Sequence, residues 1–498
     1  MAELCDSSAT ELTRLMAKRE VSPVELLDAC LARIAATNPA VNAVVTLDET
    51  GARAAAKSAE AAILRGDDVG ALHGLPLLIK DTQDTAGLRT TYGSPLFAHH
   101  VPATDQASVA RLRAAGAIII GKTNTPEWAA GGNTRNPVHG ATGNPFDPSR
   151  SAAGSSGGSA VALACGMSPL ASGSDTGGSL RNPAAYAGIV GMRPSYGLVA
   201  SERRAFGWSN LSTDGPMARS VADVALMLSV MASDDVRDPL AYTLPGEPLR
   251  GRPERWNTPR PAELARLRVT FTEDFGFAPT EHAIRRVFRH RVAQLAPMVA
   301  ECREATPDCS GADDAFAVLR AALFLATHGK TYQERPEMLG PNVRANIEEG
   351  LGYDLQDYAR AAATQTRIYR AFQAFFERCD ILISPTITLS PRPWSELYPT
   401  EIDGEPTKSY FHWLALAYGV TLAGHPALSL PVGVDEAGMP FGLQIVGPRG
   451  GDAIVLSVAT ALEAAFAATP DLRRPVPDLA RLAAAPPLSA TPGFLAWD

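Results

Sequence analysis

The fold class is decided by two short apolar runs, LHGLPLLIKD (72–81) and AAGAIIIGKT (114–123), each bounded by glycine and ending close to a lysine. Runs of this length and composition are typical of buried strands. Between them lies SVARLRAAG (108–116), which has the pattern of a helix. A strand, a helix and a second strand at this spacing predict a parallel pair of strands in a sheet that is covered on both faces.

Further elements continue the α/β pattern in both directions. Helical spacing of apolar residues begins near residue 9, and Ser22 followed by Pro23 predicts the start of a second helix. More helices are expected at 219–233, over most of 281–380 and at 453–467. Strands are expected at 267–271, at 379–386 and twice within 425–447, around a turn at 435–438.

Composition excludes several classes of protein. The chain has 498 residues, 46% of them apolar, and a formal net charge of −8. It is too hydrophobic to be disordered, and no apolar run approaches the roughly 18–20 residues that cross a bilayer. The N-terminus lacks the pattern of a secretory signal, and the acidic balance argues against a nucleic-acid partner. We therefore expect a cytoplasmic globular protein without nucleic-acid or membrane partners.

Two lysines stand out as candidate bases. Only six of the 45 basic residues are lysine, and Lys80 and Lys122 each follow an apolar run. A neutral lysine can take the proton of a serine nucleophile, and burial lowers the lysine pKa from its usual value of about 10.4. Sites in open α/β sheets form at the carboxyl ends of strands, where both lysines are expected. Strand-end lysines that simply reach solvent give the same pattern, so spacing alone does not decide.

Two serine-containing segments are candidates for the nucleophile. GSSGG (154–158) matches the GxSxG string with Ser156 in the central position, but no apolar strand precedes it and no later histidine lies in a catalytic motif. GSDTGGSLR (173–181) is more specific, because its glycines place consecutive N–H groups just before Ser179. Such amides can stabilise the oxyanion formed when a serine attacks a carbonyl. A capped glycine-rich turn without catalytic function would look similar.

These motifs together resemble the amidase signature family. LHGLPLLIKD, GSSGGSAVALACG (154–166) and GSDTGGSLRNPAAYAGIVGMRPSYG (173–197) occur in the family's order and spacing, and further matches lie at 121–129, 212–227, 379–386 and 440–447. The resemblance covers most of the chain. It implies an α/β fold with a large mixed, mostly parallel β-sheet covered by α-helices on both faces.

The resemblance also implies a Ser–cisSer–Lys triad. Its nucleophile would be Ser179, its bridging serine Ser155 after a cis peptide bond to Gly154, and its base Lys80. Lys122 lies in GKTNTPEWA (121–129), which is not the motif of the catalytic lysine. Ser156 becomes a neighbour of the triad rather than the nucleophile.

The same resemblance places other residues around the triad. The amides of Thr176, Gly177 and Gly178, with that of Ser179, would hold the oxyanion. Asp175 and Arg181 would support the loop, and substrate contacts are expected at Gly131 and Gly132. The chain departs from the family at Ala152–Ala153, where glycines are usual, and at 421–426 (TLAGHP), which weakens inference about the pocket wall.

The implied function is hydrolysis of carbon–nitrogen bonds in small linear aryl or alkyl amides through an acyl-enzyme, with neither metal nor cofactor. A carbamate or ester hydrolase with the same triad is one alternative. A glutamine-hydrolysing amidotransferase component that works with a partner chain is another, and a catalytically dead binding protein is disfavoured by the intact triad. We expect a monomer or homodimer. The aromatic residues of 389–415 are equally compatible with a substrate pocket and with the core; they are Trp394, Tyr398, Tyr410, Phe411 and Trp413.

The expected organisation is one large domain. It would comprise an N-terminal helical segment (1–70), a core with the catalytic motifs (71–235), a surface connection (236–265), the remainder of the α/β domain (266–470) with a helical pocket region at about 281–415, and a tail (471–498).

Overall fold

The computed structural model describes residues 2–241 and 259–495, in which helices and strands alternate along most of the chain. The helices are α1 (Ala2–Asp6), α2 (Ala9–Ala17), α3 (Pro23–Val41), α4 (Glu49–Arg65), α5 (Ala107–Ala114), α6 (Gly157–Ala164), α7 (Arg181–Ala187), α8 (Val221–Met231), α9 (His282–Leu295), α10 (Ala312–Glu334), α11 (Pro341–Leu351), α12 (Leu355–Phe376), α13 (Ala415–Ala423), α14 (Asp452–Ala468) and α15 (Leu479–Ala484). The strands are β1 (Val44–Leu47), β2 (Pro76–Lys80), β3 (Ile118–Thr123), β4 (Arg135–Asn136), β5 (Gly140–Ala141), β6 (Leu170–Asp175), β7 (Val190–Arg193), β8 (Thr213–Ala218), β9 (Arg268–Phe271), β10 (Glu301–Glu304), β11 (Ile381–Pro385), β12 (Glu401–Ile402), β13 (Glu405–Pro406), β14 (Ala427–Val434) and β15 (Pro440–Val446).

Within these residues, eleven strands form one mixed sheet in the order β1-β3-β2-β6-β8-β7-β14-β15-β11-β9-β10. Parallel pairing occurs in two blocks, β3-β2-β6 and β11-β9-β10, and the remaining neighbours pair antiparallel. The predicted mixed sheet is confirmed, and the parallel pair β2–β3 is the one expected from the two opening runs. Lys80 and Lys122 both lie in the first of these parallel blocks, on β2 and β3.

Helices cover both faces of the sheet, as alternate strand residues show. In β2, Leu77 and Ile79 pack into one hydrophobic core, which also contains residues of α5, α8 and α14, whereas Leu78 packs into another core with residues of α4, α6 and α7. Successive side chains of a strand point to opposite faces. A strand that is buried on both sides has no polar face, which explains the continuous apolar runs in the sequence.

Local signals in the sequence predict several helices and strands that the structure contains. Helix α3 begins at Pro23 because the Ser22 hydroxyl accepts from the Glu25 N–H at 3.1 Å while the Glu25 carboxylate accepts from the Ser22 N–H at 2.9 Å. The expected strands β9 and β11, the β14–β15 hairpin and helix α14 are all present. Region 281–380 is mainly helical, but it also contains β10, a short strand with charged residues that the helical pattern did not indicate.

The N-terminal region is not purely helical, since β1 pairs antiparallel with β3 at the edge of the sheet. The proposed domain boundaries stay predictions. Most of the expected connection at 236–265 falls on 242–258, and the tail includes 496–498; both of these stretches lie outside the described residues. No helix in the described part of the chain combines the length and apolar character needed to span a bilayer.

Candidate active site

Lys80 lies at the carboxyl end of β2, where its ammonium group meets two serine hydroxyls. Its Nζ donates to Ser155 Oγ at 2.6 Å and to Ser174 Oγ at 2.9 Å. The side chain is fully buried, and the Lys80 backbone N–H donates to Ser172 Oγ at 3.2 Å. The structure thus places Lys80 and Ser155, two of the residues predicted from sequence, in direct contact.

Burial lowers the pKa of Lys80 to about 7, although the negative charges of Asp214 and Asp175 oppose the shift. The desolvated ammonium loses hydration that the sheet interior does not replace, so the neutral form is favoured. At neutral pH about half of the population then carries a lone pair on Nζ, whereas roughly one in 3,000 lysines does so at the ordinary pKa. The group is suited to accept a proton at the pH at which cells operate.

Ser155 stands in a turn that is tied to the second signature loop. The peptide bond between Gly154 and Ser155 is cis, as the resemblance implied. The next residue, Ser156, donates its backbone N–H to the carbonyl oxygen of Ser179 at 3.2 Å. Ser179 is 9% exposed, whereas Ser155 is completely buried. Of the three candidate residues, Ser179 is therefore the one nearest to solvent.

Asp175 organises the turn that carries Ser179. Its carboxylate accepts from the N–H groups of Gly178 at 2.9 Å and Leu180 at 3.2 Å, and from Arg181 at 2.9 and 3.0 Å. Arg193 adds a contact to the same carboxylate at 3.1 Å. Burial alone would raise the pKa of Asp175, but the two guanidinium groups hold it well below the usual range. Asp175 and Arg181, for which a loop-supporting role is predicted, are thus in direct contact.

The predicted oxyanion amides are not equivalent in the structure. Because the Gly178 N–H donates to Asp175, it is already engaged, which distinguishes it from the other expected donors, Thr176 and Gly177. Gly178 instead matters for the shape of the turn. Its φ is +103°, and a Cβ there would lie 2.4 Å from both Ala417 Cβ and Asn182 Nδ2. Only glycine fits this position without displacing its neighbours.

Lys122, the rejected candidate, is also fully buried, and burial lowers its pKa to about 8. Its Nζ donates to the carbonyl oxygen of Gln83 and to the hydroxyls of Thr85 and Thr90, both at 2.9 Å. Those hydroxyls donate in turn to backbone carbonyls of the same loop. Lys122 therefore fastens the segment that follows β2 and does not contact the serines of the signature loops.

Gly131 and Gly132 lie against the cis-peptide turn. A Cβ on Gly154 would come within 3.1 Å of Gly132 C and 3.2 Å of Gly131 O. On its other side Gly132 faces the indole of Trp413, with Cζ2 only 2.4 Å from where a Cβ would be. The pair is thus close to Ser155, and its backbone is packed between the turn and an aromatic side chain. Substrate contact by these glycines stays a prediction.

A cavity of about 470 Å³ opens beside the candidate triad. Ser174 and Thr176 form part of its wall, which connects it with Lys80 and with the turn before Ser179. The rest of the wall is mostly polar or charged, but it includes five aromatic side chains: Tyr92, Phe97, Trp128, Phe206 and Phe324. The aromatic residues expected at 389–415 are not in this wall, and four of the five are buried in the core. Of the two interpretations left open for that segment, the structure supports the core.

Two residues of the site were not anticipated. Ser174 lies two positions after Ser172 in β6, so both side chains face the end of β2, and this period of two is a signal the sequence carries. Asp214 is opposite Ser174 in the antiparallel pair β6–β8. Nothing in the sequence indicated this pairing, because β8 was not predicted as a strand.

Comparisons with known proteins agree with this architecture. The Amidase family model matches residues 25–456. The chain is 36% identical over 494 residues to the A subunit of a glutamyl-tRNA(Gln) amidotransferase from Acidothermus cellulolyticus, covering 94% of this chain and 95% of the relative.

Solved structures give the same result. A bacterial aryl acylamidase of the amidase signature family superposes with a TM-score of 0.84 at 26% identity, covering 92% of this chain and 96% of that one. A native peptide amidase from Stenotrophomonas maltophilia gives 0.78 at 28% identity, covering 95% and 98%.

Proposed function

The chain belongs to the amidase signature family of enzymes that hydrolyse carbon–nitrogen bonds, and from that premise we propose that it cleaves small linear amides through an acyl-enzyme on Ser179. The observation that carries the proposal is the buried contact between Lys80 Nζ and Ser155 Oγ at 2.6 Å. A lysine with a pKa of about 7 is a base in that position. The hydrogen bond from the Ser156 N–H to the Ser179 carbonyl oxygen ties the loop that carries Ser179 to the turn that carries Ser155.

The steps follow from these positions. Neutral Lys80 accepts the proton of Ser155, Ser155 accepts that of Ser179, and Ser179 Oγ attacks the amide carbonyl carbon. The oxyanion is held by N–H groups of Thr176, Gly177 and Ser179, since that of Gly178 serves Asp175. One such donor typically contributes about 3–4 kcal/mol to the transition state.

Collapse of the tetrahedral intermediate requires the proton to return. Protonated Lys80 gives a proton back through Ser155 to the leaving nitrogen, because an amide anion is a very poor leaving group. Water then attacks the acyl-enzyme along the same relay and regenerates the free serine. The relay needs no group other than the three side chains and the backbone amides.

The cavity favours amides with an aryl or alkyl part. Its volume of about 470 Å³ suits a small molecule, and the five aromatic side chains in its otherwise largely polar wall can pack against an apolar group. The likeness to an aryl acylamidase supports the same substrate class. Carbamates and esters present the same carbonyl to Ser179 and stay alternatives within this mechanism.

The test is a substrate panel on the purified chain, comparing the native protein with Ser179→Ala and Ser156→Ala. We expect Ser179→Ala to lower p-nitroanilide hydrolysis by at least about 10³-fold, because the nucleophile is lost. Ser156→Ala removes the neighbouring hydroxyl, whose contacts with Ser174 are long at 3.3 and 3.4 Å, and should stay within a few-fold of native. Full activity in Ser179→Ala, or its loss in Ser156→Ala alone, would contradict the proposal.

A second candidate function is supported by the relatives' names. Several curated relatives at 33–36% identity are the A subunits of glutamyl-tRNA(Gln) amidotransferases, which suggests glutamine hydrolysis within a complex. Release of ammonia from glutamine only after a co-purifying protein is added would favour this function. Turnover of aryl amides by the isolated chain, with no glutaminase activity, would favour the amidase.

A further inference from the structure

Helix α10 presents an arginine to the cavity. Arg320, Phe324 and His328 are spaced four residues apart, so they lie on one side of the helix, and all three line the cavity. Arg320 is 6% exposed. Its guanidinium group is therefore a nearly buried cation that borders the space beside the candidate triad.

Aromatic rings surround Arg320, and within the described parts of the chain its guanidinium group has no carboxylate partner. Its guanidinium carbon lies 4.8 Å from the centre of the Phe324 ring and 5.5 Å from those of Tyr410 and Phe411. Nε and Nη2 both donate to the Tyr410 hydroxyl, at 3.1 and 2.5 Å. Among the residues that the structure describes, no aspartate or glutamate forms an ion pair with this side chain.

The other arginines of the cavity wall are paired with acids. Arg203 contacts Asp84 and Glu202, and Arg204 contacts both oxygens of Asp238 at 2.8 and 2.9 Å. Their charges are thus neutralised within the protein. Among the described arginines of this wall, Arg320 is the one without an acidic partner, and four aromatic rings lie within 6 Å of its guanidinium carbon.

A buried cation without an anion is costly, and the rings compensate for only part of the lost hydration. Arginine stays protonated at any working pH, so the charge cannot be removed by titration. Its planar fork matches a carboxylate through two parallel hydrogen bonds. A ligand carboxylate in the cavity would supply the negative charge that the protein side chains around Arg320 do not provide.

We propose that Arg320 binds a carboxylate of the substrate, so that the cavity selects amides carrying an acidic group beside an apolar or aromatic part. This rests on the proposed amide hydrolysis and specifies its substrate class. The acid can belong to the acyl portion or to the amine portion of the amide, because the cavity borders both the turn before Ser179 and α10.

The experiment uses two amide substrates that carry a carboxylic acid, and it compares each with its methyl ester, which has nearly the same shape but no charge. Glutaryl-p-nitroanilide carries the acid on the acyl side, and 4-acetamidobenzoate carries it on the amine side. Binding to the Ser179→Ala protein is measured by calorimetry, and kcat/KM is measured on the native background. For at least one of the two pairs we expect the acid to be preferred by about tenfold to a hundredfold, the usual range for a hydrogen bond to a charged group.

Arg320→Gln should abolish that preference while changing the ester by less than about threefold. Arg203→Gln is the matched control, since it removes the same charge from the same cavity wall at a site that is already paired. Thermal unfolding of both variants, together with the ester data, separates a lost contact from a damaged fold. Arg320→Lys keeps the charge without the fork and should retain part of the preference.

The inference is overturned if neither acid binds more tightly than its ester, or if the preference survives Arg320→Gln or is lost equally in Arg203→Gln. Failure of the proposed function looks different. It would appear as amide hydrolysis that does not depend on Ser179, and the binding comparison would still test Arg320 on its own.

Discussion

Acidification below pH 7 is expected to inactivate the enzyme through protonation of Lys80. With a pKa of about 7, the neutral fraction is about one half at pH 7, about one tenth at pH 6 and about one hundredth at pH 5. If only neutral Lys80 supports attack, kcat/KM for a neutral p-nitroanilide should fall about 50-fold from pH 7 to pH 5 and level off above pH 8. The direction follows from the lowered pKa, since the active form is the deprotonated one.

The assay is a pH–rate profile from pH 5 to pH 9 with two variants. Lys80→Met should lose most amide hydrolysis, and its residual cleavage of an activated ester should no longer show the acidic limb. Glu127→Gln is the control, because burial raises the pKa of Glu127 to about 7 and that group lies next to the cavity residue Trp128. A limb that persists in Lys80→Met, or that disappears in Glu127→Gln, would refute the assignment of the base.

Three further predictions concern stability. Lys80→Met should raise the free energy of unfolding by up to about 4 kcal/mol at pH 7, because the unfolded lysine binds its proton more tightly than the folded one. The native protein gains stability as the pH rises from about 7 towards 10.5, where the unfolded lysine also loses its proton. In urea titrations the difference in unfolding free energy between variant and native protein should therefore be smaller at pH 9 than at pH 7 by about 2 kcal/mol. Asp175→Asn removes the charge that two buried arginines share and should destabilise the fold by about 3–5 kcal/mol, measured by chemical unfolding; an unchanged midpoint would contradict this role. Gly132→Ala places a methyl group 2.4 Å from the Trp413 ring and should lower the melting temperature, whereas Gly329→Ala, with open space around a helical glycine, should raise stability by up to about 1 kcal/mol.

The sequence predicted the elements of the fold whose signals are local. Buried strands such as β2 and β3 are continuous apolar runs, and α3 begins at a capping box, so neither depends on distant residues. The strands β7 and β8 were missed because they contain glycine, proline or polar residues and become strands only through their neighbours in the sheet. The short edge strand β10 carries charged residues and lies within a helical region, which hides its pairing with β9.

In the candidate site, too, residues within local motifs could be predicted from the sequence, whereas residues brought together by the fold could not. Motif order brought forward Lys80, Ser155 and Ser179, and the structure places the first two in contact. The residues of the cavity wall could not be predicted from the sequence, because the wall combines residues that are more than 200 positions apart, such as Tyr92 and Phe324. An aromatic residue in a loop has no local signal that separates pocket from core, so the sequence could not show that four of the five aromatic side chains in 389–415 are buried in the core.

The two buried lysines differ in their hydrogen-bond partners, and this difference identifies the candidate base. Both end adjacent parallel strands, and burial lowers the pKa of both, to about 7 and about 8. Burial therefore makes a lysine able to accept a proton but does not say from which group. Lys122 donates to the Gln83 carbonyl and to the hydroxyls of Thr85 and Thr90, which themselves donate to backbone carbonyls, so its contacts end on the backbone rather than on a nucleophile. Lys80 donates to Ser155, whose hydroxyl can both give and take a proton, and it is this acceptor rather than the pKa that makes Lys80 the candidate base.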